Sequence, residues 1–166
     1  MLTPLITGLF ALGGVALGVM LEPVKALFAA RARSRQERAE RCARLVEAAT
    51  TARSALIRLN TLHRRRTLGA EVADASEEFS IENDYYSARN EIRQVVGLLD
   101  LSGPDKLAAC ARTVREADRE LGKVRFDVEG APAFDRYTLP LAVRKAADAM
   151  EEKVRAFVEV ARRHVR

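Results

Sequence analysis

Leu2 to Leu21 is a run of twenty residues without a charged side chain, ended by Glu22-Pro23. As a helix rising about 1.5 Å per residue it is roughly 30 Å long, the thickness of a bilayer's hydrocarbon core. A helix satisfies its own backbone polar groups, so such a segment is viable in lipid. Thr3 suits the cap and Pro4 the first turn, where a missing N–H costs nothing. The run therefore predicts a transmembrane anchor over 1–23, and the rest of the chain is read as tethered to a surface. A cleaved signal peptide needs a basic n-region, a shorter apolar core and a small-residue cleavage site. Met1-Leu2-Thr3-Pro4 has no Lys or Arg, and Ala30-Arg31-Ala32 lies beyond Lys25. A retained anchor is the expectation.

Charge gives the anchor a direction. Lys25, Arg31, Arg33, Arg35, Arg38, Arg41 and Arg44 follow the span. Basic residues beside a span stay cytoplasmic. The expected location is a bacterial plasma membrane, crossed once, with the amino terminus outside and the carboxy-terminal domain in the cytoplasm. Lys25, Arg31, Arg33, Arg35 and Arg38 are the candidate contacts for anionic lipid, which attracts juxtamembrane cations. Glu37 with Arg41, and Glu40 with Arg44, stand four residues apart and neutralise part of the cluster. Thr7, Ala11, Gly14 and Gly18 form a stripe of small residues on one helical face, with a GxxxG at Gly14–Gly18. Such a stripe is a candidate face for pairing with a second copy.

The basic excess is local. Residues 1–68 hold twelve basic and four acidic residues, net +8, whereas residues 69–166 hold 16 and 19, net −3. Arg outnumbers Lys 23 to 5, a bias that points to a GC-rich bacterial genome.

Beyond the span the pattern is helical, with no strand-like alternation. A basic helical neck is expected over 24–40 and a bundle of about four helices over 41–166. Cys42, Leu45, Val46, Ala49, Ala52, Leu56, Leu59 and His63 recur at three- and four-residue spacing, the mark of one buried face. That helix runs to about Thr67, with Gly69 as its stop. The next helix follows a cap at Asp74, Ser76 or Ser80 and buries Ile81, Tyr85, Ala88, Ile92, Val95, Val96 and Leu99. Ser102-Gly103-Pro104 separates it from a third, with Pro104 in the first turn. The third shows Leu107, Cys110, Ala111, Val114, Ala117, Leu121, Val124 and Val128, and Gly130-Ala131-Pro132 breaks it. A fourth begins near Thr138, with Pro140 in its first turn, and shows Val143, Ala147, Met150, Val154, Phe157, Ala161 and Val165. Four amphipathic helices with short connections pack most simply as an antiparallel, coiled-coil-like bundle. The fold class is all-α.

The chemistry-bearing residues are sparse. Cys42 and Cys110 lie in no CxxC pattern, so buried reduced thiols are expected. Helical bundles hold di-metal sites through Glu-x-x-His pairs. Position 60, three before His63, is Asn, and position 161, three before His164, is Ala. No GxSxG, phosphate loop or HExxH occurs. No catalytic residue, metal or cofactor is assigned, and the expectation is that the chain is not an enzyme. His63-Arg64-Arg65-Arg66 lacks a neighbouring aromatic stacking partner and sits at a helix C-terminus, where cations are favoured, so it reads as a solvated helix end rather than a nucleic-acid contact. Glu71, Asp74, Glu77, Glu78, Glu82 and Asp84 form an acidic stretch without calcium-loop spacing. It reads as dipole compensation at a helix start, and as an exposed place for a protein partner.

The Gly-rich span ending near Met20, the run Arg31-Ala32-Arg33-Ser34-Arg35-Gln36-Glu37-Arg38 and the helix from Cys42 to Leu62 together resemble small uncharacterised single-span membrane proteins of actinobacteria. The resemblance covers about the first 65 residues and is one of layout. It implies a membrane location and a helical body, and no activity. The resulting expectation is a membrane-anchored helical interaction or scaffold module, self-associating or bound to an unidentified protein partner. A membrane-active effector (toxin, holin-like or phage-defence component) is the alternative, and a nucleic-acid-binding or enzymatic body ranks below both.

Overall fold

The computed structural model describes residues 3–67, 69, 75–126 and 139–165, with side chains described from Lys25 onward. Among these residues there are four helices and no strand: α1 (Thr3–Thr67), α2 (Ala75–Ser102), α3 (Asp105–Lys123) and α4 (Leu141–Val165). The side chains of the expected span, Thr7, Ala11, Gly14 and Gly18 included, lie outside the described ones. Among the described residues no helix is long and apolar enough to cross a membrane. The chain divides into two compact units, Met1–Glu37 and Arg38–Arg166.

In the first unit, every described residue from Lys25 to Glu37 is exposed. This stretch has no apolar stripe long enough to bury, so it stays solvated. The second unit begins at Arg38, three residues before the boundary read from the sequence. The reason is local. Arg38 is half-buried and its guanidinium donates to the His164 carbonyl at 3.2 Å, which makes it a residue of the bundle. A cation at the α4 C-terminus also opposes that helix's negative end.

Polar contacts fix the directions of the four helices within the bundle. Along α1 and α2, Arg44 meets Glu91 at 2.5 Å and Arg58 meets Glu77 at 3.4 Å. Higher numbers on one helix face lower numbers on the other, so the pair is antiparallel. Arg66 closes the turn end by pairing with Glu78 at 2.5 Å. Arg53 of α1 reaches α4, donating to the Ala147 carbonyl at 2.9 Å and pairing with Glu151 at 2.8 Å. Between α2 and α3, Arg89 pairs with Asp118 at 3.0 Å and Asp100 with Arg112 at 3.2 Å. Finally, α3 packs along α4. The result is an up-down-up-down bundle in which each helix lies antiparallel to its neighbours.

The core is the sum of the four apolar stripes. On α2, all seven residues of the predicted stripe are buried. Tyr85, Phe157, Leu45, Leu56, Ile92, Leu99, Leu107, Leu121 and Met150 are its largest fully buried side chains. On α1 the buried face is broader than the predicted stripe, because Ala48 and Ala55 are also inside. Four alanines, Ala48, Ala49, Ala52 and Ala55, let neighbouring helices approach α1 closely, at the cost of less buried area per residue.

The helix ends follow local chemistry. Gly69 has φ +67° and donates its N–H to the Arg66 carbonyl at 3.1 Å, the left-handed stop expected of glycine there. Pro104 sits at the N-cap of α3, with ψ 142°, and not in the first turn. Its carbonyl accepts from Leu107 and Ala108 at 2.9 and 3.0 Å, so the helix starts one residue later than the sequence suggests. Pro140 likewise precedes α4, and its carbonyl accepts from Arg144 at 2.9 Å. Asp74, Glu71, Val128, Gly130-Ala131-Pro132 and Thr138 lie outside the described residues; Ser80 lies inside α2 and is not its cap.

Candidate functional site

Two places carry chemistry: the exposed neck and a polar seam inside the bundle. On the neck, Lys25, Arg31, Arg33 and Arg35 are all exposed. No acidic residue occurs from Lys25 to Gln36. Two large apolar side chains share this stretch and are also solvated, Leu27 at 61% and Phe28 at 66% of full exposure. Helical spacing puts Leu27, Phe28, Arg31 and Arg35 on one face, since residues three and four apart are neighbours. Arg38, the fifth candidate lipid contact, is set apart from the other four by its bond to the α4 carbonyl.

The seam lies between α2 and α3. Asp118 falls on the buried face of α3 between Val114 and Leu121, and Arg89 follows Tyr85 and Ala88 on α2. Their side chains are 6% and 20% exposed. Asp118 Oδ2 accepts from Arg89 Nε at 3.0 Å, while its Oδ1 has no hydrogen-bond partner. The guanidinium of Arg89 also lies 5.3 Å from the centroid of the Tyr85 ring. Gly122 makes room for both groups: a Cβ there would stand 3.1 Å from Tyr85 Oη and 3.1 Å from Arg89 Nη2.

The electrostatics of the seam are those of a buried carboxylate paired with a half-buried guanidinium. Burial pushes the Asp118 carboxyl above its ordinary range, against the lowering effect of the Arg89 bond and of the Arg93 and Arg115 charges. Burial also raises the Tyr85 hydroxyl, whose oxygen has no hydrogen-bond partner. For Arg89 burial acts to lower the value, but the bond to and charge of Asp118 outweigh it and the guanidinium is raised. The pair is a positioning device for two helices.

At the same end of the bundle as Gly69, the Asn60 amide, buried on α1, donates to the Arg125 carbonyl at 3.0 Å. The Arg125 guanidinium covers the Phe126 ring at 4.3 Å and donates to Tyr86 Oη at 2.6 Å. His63 stacks obliquely on Phe126 with centroids 5.5 Å apart. Thus the His63–Arg66 run is only partly a solvated helix end. Arg64 is buried, His63 holds an aromatic ring, and Arg66 binds Glu78. The acidic residues Glu77 and Glu78 are engaged by α1 cations as well as lying in the first turn of α2.

An open groove of about 420 Å³ separates α1 from α2, because Ala48, Thr51, Ser87 and Ala88 are too small to fill it. Arg44 and Glu91, paired with each other, also line it. Both cysteines are free thiols, Cys42 buried and Cys110 half-buried. Burial raises the pKa of each, only partly offset by Arg38 at Cys42 and by Thr113 and Lys153 at Cys110, so little thiolate forms. Among the described residues no group of three His, Cys, Asp or Glu side chains is placed to hold a metal ion.

No family model, curated protein or solved structure matches this chain. The functional reading therefore rests on the residues themselves. Buried Asn60, Arg64 and Asp118, and half-buried Arg89, were not legible as interior groups from apolar periodicity. The available signal was positional: Asp118 stands four residues after Val114 and three before Leu121, on the apolar line of α3.

Proposed function

We propose that this chain is a membrane-anchored helical interaction module. A single span over 1–23 would hold it in a bacterial plasma membrane, with the amino terminus outside and the bundle in the cytoplasm. The observation that carries the reading is the pairing of a twenty-residue uncharged run with an exposed basic stretch directly after it. Self-association through Thr7, Ala11, Gly14 and Gly18 is part of the proposal, since small residues let two spans pack closely.

Alkaline carbonate extraction of native membranes tests the anchor. The full chain is expected in the pellet, and a variant with Leu9→Arg and Val15→Arg in the supernatant. Recovery of the unmodified chain in the supernatant would refute it. Replacing Gly14 and Gly18 by Ile is expected to abolish cross-linking between copies in the membrane. Unchanged cross-linking would remove the pairing face from the proposal. Expression that collapses the membrane potential would favour a membrane-active effector instead.

A further inference from the structure

We infer that the neck is an anionic-lipid docking helix, with Leu27 and Phe28 seated among the lipid headgroups, Arg31 and Arg35 beside them on the lipid phosphates, and Lys25 at the flank of that face. The inference rests on the anchor proposed above, which would keep residues 25–37 beside a bilayer. Three observations meet on this one segment. Its four cations are exposed, and no acid interrupts them before Glu37. Two large apolar side chains stand 61% and 66% exposed. Spacing of three and four residues brings those apolar groups onto the same face as Arg31 and Arg35.

The occupant of this face follows from its charge. A second copy of the neck would bring four further cations against these four, a like-charge contact with nothing to offset it. A nucleic acid would satisfy the cations but offers no apolar layer for Leu27 and Phe28. An anionic lipid surface satisfies both, with phosphates for the guanidinium groups and the acyl boundary for the two side chains. Attraction to the surface fades over about 8 Å at physiological salt. Lys25 and Arg35 are ten residues apart, about 15 Å along a helix. Full engagement therefore lays the neck along the surface. Arg38 takes no part, because the α4 carbonyl holds it.

The chain contains no Trp, so Phe28→Trp in the full chain gives a single reporter. The variant is reconstituted into phosphatidylcholine vesicles and into vesicles with one third phosphatidylglycerol. Emission is expected to shift to the blue, and to be quenched by brominated acyl chains, only with phosphatidylglycerol. Adding Arg31→Ala and Arg35→Ala should weaken docking about five-fold per arginine, roughly twenty-five-fold together, whereas Arg33→Ala, on the opposite face, should change it far less. Helical content measured by circular dichroism should not change, since all three side chains are exposed. Equal emission in the two vesicles overturns the inference, and so does a charge-stripped variant that still responds. A blue shift with a single-stranded oligonucleotide but not with phosphatidylglycerol overturns it in favour of a nucleic acid. Flotation keeps the two readings apart. A chain that floats with phosphatidylcholine but shows no lipid-dependent shift retains its anchor and loses the docking helix. A chain that floats only with phosphatidylglycerol retains the docking helix and loses the anchor, and one that floats with neither loses both.

Discussion

Replacing Arg89 by Met leaves a carboxylate inside the bundle without the cation that holds it. The Asp118 side chain is 6% exposed, and its bonded oxygen, Oδ2, accepts from Arg89 Nε at 3.0 Å. Its other oxygen, Oδ1, already has no hydrogen-bond partner. The substitution therefore strips a buried carboxylate of its bond while keeping its charge. Removing one partner of a buried ion pair costs about 3–5 kcal/mol. Arg89 is 20% exposed, and the Arg93 and Arg115 charges remain nearby, so the lower end applies. The expected loss is about 3 kcal/mol at pH 7, or about 10 °C in Tm for a domain of this size. Near-ultraviolet tyrosine dichroism is the assay, because Tyr85 is fully buried beside the pair and reports its packing. Replacing both partners, Arg89→Met with Asp118→Leu, removes the stranded charge. It should cost no more than about 1 kcal/mol. The pH dependence has a definite sign. Burial raises the Asp118 carboxyl in the fold, so its protonated form is the better folded one. Its contribution is fully present below the ordinary carboxylate range and is lost as pH rises through the raised value. With Arg89 gone, the deficit at pH 5 should be smaller than at pH 7. A single variant within about 0.5 kcal/mol of the parent, or a double variant as unstable as the single, would refute the reasoning.

Other perturbations test other parts of the fold. Phe157→Ala empties a fully buried position on α4 and should cost about 3–5 kcal/mol in thermal or urea unfolding. Gly69→Val puts a β-branched residue at φ +67° and should cost roughly 1–2 kcal/mol, although its Cβ would meet no neighbour within 4 Å. In a thiol-labelling time course at pH 8, half-buried Cys110 should react first and buried Cys42 only as the bundle opens, since burial raises both thiols.

The parts of this molecule that the sequence made legible are those governed by one helix at a time. The α2 stripe from Ile81 to Leu99 could be read because its members are apolar and, apart from adjacent Val95 and Val96, stand three or four residues from the next. Gly69 and the Gly103-Pro104 break mark boundaries through backbone chemistry alone. Whatever depends on a neighbouring helix was less legible. Ala48 and Ala55 have too little side chain to weight a stripe, and only the close approach of other helices buries them. Asp118 and Arg89 are charged, so periodicity placed them outside, yet each is the other's partner across α2 and α3. Arg38 reads as one more neck cation until the α4 C-terminus is brought beside it. The neck was legible in its charge, but the value of Leu27 and Phe28 emerged only once their exposure was known.

The orientation of the bundle is the most direct test of the account. Alkaline phosphatase, active only outside the cytoplasm, and a fluorescent protein that folds only within it are fused in turn after Arg166 and expressed in bacterial cells. The account predicts a fluorescent, phosphatase-negative pair. A phosphatase-positive, dark pair would place the bundle outside and contradict it.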